Sequence, residues 1–156
     1  VNPVGGYEKA KAVRDISSKL NVKLSEVIYV GDSITDVESF RLVRKGGGLT
    51  ISFNGNAYAV REAEVAVLSS HTVTISILAD VFNRGGKERV LELVEDWSIE
   101  KIRSLCGSRL ADALYKVSKR HPVKVELITP KNMKRLMHES SSFRKNVRGE
   151  AVGALG

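Results

Sequence analysis

Val27-Ile28-Tyr29-Val30-Gly31-Asp32-Ser33-Ile34-Thr35-Asp36 sets a continuously apolar, β-rich run directly before a glycine and two aspartates. A strand with no polar alternation is buried on both faces, as in a parallel sheet. The glycine lets the chain turn sharply and keeps side chains away from whatever approaches the turn. Thr35 or Ser33 is placed to cap a following helix through about Arg44, with Val37, Phe40 and Val43 on its inner face. Working outward, Tyr7 to Leu20 has Ala10, Val13, Ile16 and Leu20 at helical spacing, and Gly46-Gly47-Gly48 closes the helix after the motif. Leu49 to Phe53 reads as a second strand, Ala57 to about Ala63 as a short helix, and Val65 to Leu68 as a third strand. This alternation predicts an α/β fold, a parallel sheet with flanking helices and right-handed crossovers.

Beyond Ser70 the pattern turns helical. Helices are predicted over Val73–Phe82, Lys87–Trp97 and Ile99–Lys119, the first two separated at Asn83-Arg84-Gly85-Gly86. The second would bury Val90, Leu91, Val94 and Trp97, and the third a stripe of Ile102, Cys106, Leu110, Leu114 and Val117. Val123 to Leu127 alternates like a half-exposed strand, and Thr129-Pro130 would open a last helix on Met133, Leu136 and Met137. The expected organisation is an α/β half-domain over 1–70, a mainly helical region over 71–139, and a mobile Ser/Arg/Gly-rich tail over 140–156.

Charge divides the chain in the same way. Residues 1–96 hold 12 Lys/Arg against 13 Asp/Glu, whereas residues 97–156 hold 13 against 5, so the net +7 belongs to the C-terminal part. Its cations, among them Lys131, Lys134, Arg135, Arg144, Lys145 and Arg148, are read as a solvated face. With few aromatics for base stacking there, nucleic acid is not an expected partner. No stretch has the roughly 18 apolar residues of a membrane span, and no signal peptide is visible. A single cysteine fits a reducing cytoplasm. Cys106 is expected in the core, and His71, His121 and His138 lack metal-ligand spacing.

Asp32 and Asp36, four residues apart at the carboxyl end of a parallel strand, can converge on one hard cation or can simply cap a helix. Lys9 lies 23 residues before Asp32, at the start of the preceding helix. From Glu8 to Asp36, EKAKAVRDISSKLNVKLSEVIYVGDSITD resembles the haloacid dehalogenase superfamily of phosphohydrolases. Gly48 to Ser69, GLTISFNGNAYAVREAEVAVLS, is similar to the segment that follows it there. The resemblance covers roughly residues 5–70. It implies that Lys9 neutralises a nucleophile and a substrate phosphoryl group, that Asp32 is the primary Mg²⁺ ligand, and that Asp36 is the second carboxylate, direct or through water. Ser33 and Asn56 would line the phosphate or substrate position, with helix capping as the alternative for both. Thr35 stands where many relatives have Asn. The run from Gly85 through Ile102 and the helical tail also resemble uncharacterised archaeal members of this superfamily, some named as a subunit of an energy-converting hydrogenase.

One family element is not found. The superfamily's nucleophile lies in a DxDx[TV] segment, and none of Asp15, Asp32, Asp36, Asp80, Asp96 or Asp112 makes that pattern. The resemblance therefore implies the C-terminal part of a Mg²⁺-dependent phosphomonoester hydrolase working through an aspartyl-phosphate, with the attacking group outside these 156 residues. The chain opens on Val1, so an engineered product, a processed product and a fragment all stay open. In the family fold the nucleophile strand pairs beside the strand ending in the GDxxxD motif. Its removal would leave Val27 to Val30 as an associating edge, completed by a missing N-terminal half, a second polypeptide or a homo-oligomer. The competing expectation is a non-catalytic scaffold or assembly subunit docking through its basic C-terminal region.

Overall fold

The structure, a computed structural model, describes residues 5–153. It is a mixed α/β fold with a four-stranded sheet, flanking helices and a helical C-terminal region. Helix α1 (Gly6–Leu20) leads to β1 (Ile28–Gly31), then α2 (Val37–Lys45), β2 (Leu49–Phe53), α3 (Ala57–Glu62) and β3 (Val65–Leu68). The chain continues through α4 (Val73–Glu95), α5 (Ile99–Leu105), α6 (Ser108–Ser118), β4 (Lys124–Leu127) and α7 (Met133–Gly153). Strand order is β1-β2-β3-β4, and β1 pairs with β2 in parallel, Ile28 opposite Leu49 and Gly31 opposite Ser52. Contacts divide the chain into two compact units, Val1–Ala66 with Ile128–Gly156, and Val67–Leu127.

In the first unit, β2 is buried along Leu49–Ser52, as expected of a strand covered on both faces. Phe40 of α2 packs with Ala59 and Ala63, and Tyr29 and Ile128 close over this cluster. The Phe40 and Tyr29 rings meet edge to face with centroids 5.4 Å apart. Helix α1 begins on Gly5, whose φ of 104° suits glycine, and the Glu8 carboxylate accepts from the Gly5 N–H. Its predicted stripe is only partly used: Ile16 and Leu20 stay 56% and 68% exposed. β1 lies at the end of the strand order, and Val30 on it is exposed.

The tail differs most from expectation. Residues 140–153, expected within a Ser/Arg/Gly-rich tail, continue helix α7; residues 154–156 lie outside the described residues. Leu136 and Ser140 are fully buried, and the Ser140 hydroxyl donates to the Gly55 carbonyl at 2.7 Å. Helix α7 thus packs against α3 and belongs to the first unit, so the contact boundary falls after Ala66 with a return at Ile128, rather than at 70 and 139.

In the second unit, two helix boundaries shift. The interruption expected at 83–86 narrows to Gly86, with φ 74° and ψ −173°, and Leu93 is buried where Leu91 had been expected. The single helix expected over 99–119 is two, because Cys106 and Gly107 are extended. Ser98 caps α5 by accepting from the Lys101 N–H, and the freed Gly107 N–H donates to Asp80 on α4 at 2.9 Å. Cys106 is buried, and burial pushes its thiol pKa up, as suits a core residue.

The Gly107 N–H, with Arg84 at 2.9 Å, outweighs desolvation and holds the Asp80 carboxyl below its ordinary range. A lowered carboxyl stabilises the fold above its unfolded pKa, and that contribution is lost as pH falls through the folded value. Asp80→Asn is therefore expected to cost about 1 kcal/mol at pH 7, a low figure because the Arg84 side of the contact is solvent-screened. The difference from wild type should shrink as acid protonates Asp80. Urea titrations at pH 7 and at a pH acid enough to protonate Asp80, followed by fluorescence of Trp97 in the same unit, measure this; an equal gap at both would contradict it.

Candidate functional site

The carboxyl end of β1 delivers Asp32, and a 3₁₀ turn over Ile34–Asp36 then swings Asp36 back underneath it. Asp36 is buried and its carboxylate is fully engaged. Oδ1 accepts from Lys9 Nζ at 2.9 Å and from the Tyr29 hydroxyl at 2.9 Å. Oδ2 accepts from the backbone N–H groups of Asp32 at 2.9 Å and Ser33 at 3.1 Å. Burial alone would raise the Asp36 pKa, but the hydrogen bonds from Lys9, Asp32, Tyr29 and Ser33 more than offset it, so the group is held low and charged. The same burial raises Tyr29, helped by the neighbouring carboxylate, to about 12, keeping it a neutral donor. Gly31 is required at this corner because a Cβ there would lie 2.7 Å from the Asp36 Cβ.

Lys9 reaches across from the first turn of α1 and also donates to Thr35 Oγ1 at 2.8 Å. The lysine and the GDxxxD segment singled out by their spacing therefore meet, with Lys9 and Asp36 in an ion pair that is half exposed on the lysine side. Ser33 Oγ lies 3.1 Å from Thr35 Oγ1 and 3.4 Å from Asp36 Oδ2, so it is part of the turn's own network. Asn56 Oδ1 accepts from the N–H groups of Tyr58 and Ala59, the helix-capping arrangement for α3, while its backbone N–H donates to the Asp32 carbonyl.

Asp32 differs from Asp36 in being about half exposed. Its Oδ2 accepts from Arg144 Nη1 at 2.6 Å, with Arg148 Nη2 3.6 Å away. Among the described residues Oδ1 has no hydrogen-bond partner. Arg144 Nη1 also donates to the Asp32 carbonyl at 2.8 Å and lies 3.3 Å from the Asn54 carbonyl. Arg144, read from sequence as one cation of a solvated face, and the Tyr29 hydroxyl are the site groups that sequence reasoning did not assign. A signal for the first exists: Leu136, Ser140, Arg144 and Arg148 recur every four residues and so share one helix face.

Among the described residues no group of three or more His, Cys, Asp or Glu side chains is arranged to hold a metal ion. Of the two aspartates at this corner, Asp32 is the one with a carboxylate oxygen, Oδ1, free of hydrogen-bond partners among the described residues. Mg²⁺ is commonly held by one or two carboxylates together with phosphate oxygens and waters; at this corner Asp32 Oδ1 could serve as one such ligand, its Oδ2 being paired with Arg144. Direct coordination by Asp36 would instead displace a hydrogen bond, from Lys9 or Tyr29 at Oδ1 or from the Asp32 or Ser33 N–H at Oδ2.

No protein-family model and no curated protein matches the chain. The fold is similar to a solved structure, gene product AF1437 from Archaeoglobus fulgidus, at 26% identity and a TM-score of 0.72. The match covers 96% of this chain and 40% of that one, so the chain spans about two fifths of that protein's length. No helix among the described residues is long and apolar enough to cross a membrane.

Proposed function

We propose that this chain is the supporting half of a phosphoryl-transfer site of haloacid dehalogenase type, within a Mg²⁺-dependent phosphomonoester hydrolase. The reading is carried by one observation: Lys9 and the Asp32–Asp36 turn, 23 residues apart, converge at the carboxyl end of β1, with Nζ 2.9 Å from the Asp36 carboxylate. Phosphoryl transfer asks a protein mainly for positioning and for charge compensation. Lys9, with its side chain half exposed beside Asp36, would meet the phosphoryl oxygens. Asp32 would hold the Mg²⁺, which polarises the phosphate when bound. Asp36 acts from beneath, fixing Lys9 and the Asp32 backbone. Ser33 and Asn56 act through the turn and the α3 cap, since their backbone N–H groups already donate to the Asp36 carboxylate and the Asp32 carbonyl.

The nucleophilic aspartate that would form the aspartyl-phosphate comes from polypeptide beyond these residues, in the same chain or in another. The edge position of β1, exposed Val30, and Ile16 and Leu20 on α1 support completion by further polypeptide. On this reading the protein works in the cytoplasm and is akin to the uncharacterised archaeal members of the superfamily. The test is turnover of an aryl phosphate by the complete protein. Activity is expected with Mg²⁺ and should vanish on chelation and return on readdition; metal-independent turnover would overturn the assignment. A non-catalytic scaffold is the second reading, favoured by the Arg144–Asp32 ion pair, which balances the Asp32 charge without a metal. Absence of turnover with Mg²⁺ over a panel of phosphomonoesters selects it.

A further inference from the structure

The C-terminal helix is fastened to the corner that carries Asp32. Leu136 is buried, Ser140 is buried and bound to the Gly55 carbonyl, and Arg144, one turn further, reaches the Asp32 carbonyl, the Asp32 carboxylate and the Asn54 carbonyl. Three features separate this contact from an ordinary surface ion pair. The Arg144 side chain is only 16% exposed. It binds both ends of the same aspartate, so the side-chain torsions of Asp32 are fixed relative to its own backbone. Both arginines approach Oδ2, while Oδ1 has no partner among the described residues. A carboxylate held by one oxygen with the other left open is the arrangement in which an outer hydrogen bond orients a metal ligand.

From this geometry we infer that Arg144 is a positioning residue for Asp32, so that α7 is part of the candidate site and not an appendage to it. The inference rests on the metal-ligand reading of Asp32. A guanidinium fits the role better than an ammonium would, because its planar fork can serve a carboxylate and main-chain carbonyls together. Arg148, exposed and 3.6 Å from Oδ2, adds positive potential at the rim without fixing the carboxylate.

The experiment titrates the complete protein with Mn²⁺ alone and reads the bound fraction by electron paramagnetic resonance, corrected to the folded fraction. Arg144→Met is expected to weaken Mn²⁺ binding about 10-fold or more, the usual consequence of removing an outer-shell partner. Arg144→Lys should recover part of the loss. Ser140→Ala, which loosens α7 without touching Asp32, should lower the melting temperature while leaving the Mn²⁺ affinity of the folded protein unchanged. Unchanged affinity in Arg144→Met, or a loss matched by Ser140→Ala, would show a purely structural clamp and overturn the inference while leaving the metal reading intact. Tighter binding in Arg144→Met would make Arg144 a competitor of the metal and also overturn it. If wild type binds no Mn²⁺, the metal reading itself falls and takes this inference with it.

Discussion

On the proposed phosphohydrolase reading, Asp32→Ala is expected to reduce Mg²⁺-dependent hydrolysis by the complete protein about 10²–10³-fold, the range for removal of one pre-organised electrostatic group. Asp32 is the carboxylate at this corner with an oxygen open to an outside ligand, since both oxygens of Asp36 are taken by Lys9, Tyr29, Asp32 and Ser33. Its loss should appear mainly as a higher Mg²⁺ requirement and a lower kcat. Stability should fall as well, because the mostly buried Arg144 guanidinium loses its counter-charge and keeps only the Asp32 and Asn54 carbonyls as acceptors. Asp32→Asn, which keeps the shape and one acceptor, should lose most of the activity as well. Equal rates for wild type and Asp32→Ala across a Mg²⁺ titration would remove the metal role from this residue.

Phe40→Ala should give the largest loss of stability, about 3–5 kcal/mol, as for other aromatic side chains deleted from cores. Phe40 is fully buried, is packed by Ala59 and Ala63, and supports Tyr29 edge to face. Two small neighbours cannot collapse far into the vacated space, which favours the upper part of the range. The effect should also reach the site, because the Tyr29 hydroxyl holds Asp36 at 2.9 Å. The chain has one tryptophan, Trp97, and it lies in the other unit, so the measurement needs far-ultraviolet circular dichroism in urea. Phe40→Leu, which refills most of the volume, should recover more than half of the loss. A cost under about 1 kcal/mol for Phe40→Ala would mean that the cluster is not a structural centre.

The elements that read most clearly from sequence are those whose signals are local. β1, β2, α3 and β3 fall within a residue or so of expectation, because continuous apolar runs and the Gly46–Gly48 stop leave little choice. The α5–α6 break was hidden because Cys106 and Leu110 continue the helical stripe; what ends the helix is a partner for the Gly107 N–H on another element, Asp80. The tail misled for a related reason. Its composition cannot bury much apolar surface, yet α7 is held by Leu136, by one buried hydroxyl and by one arginine. At the site, Lys9 and the GDxxxD turn were legible from spacing. The Tyr29 hydroxyl and the Arg144 guanidinium were not, since a tyrosine in an apolar run and an arginine in a basic tail each have a commoner explanation. The split in roles between the two aspartates also needed coordinates, because only the turn geometry shows that Asp36 is spent and Asp32 is open.

The contact between Asp32 and Arg144 spans 112 residues of chain, and this gives the protein a timetable. At about 5–20 residues per second of synthesis, the arginine is made roughly 6–22 s after the aspartate it holds. Lys9, Tyr29 and Asp36 can find each other long before that, on a nascent chain that already has β1 and α2. The corner around Asp32 therefore matures after them, and a product terminated before Arg144 would carry the older part of the site without that brace.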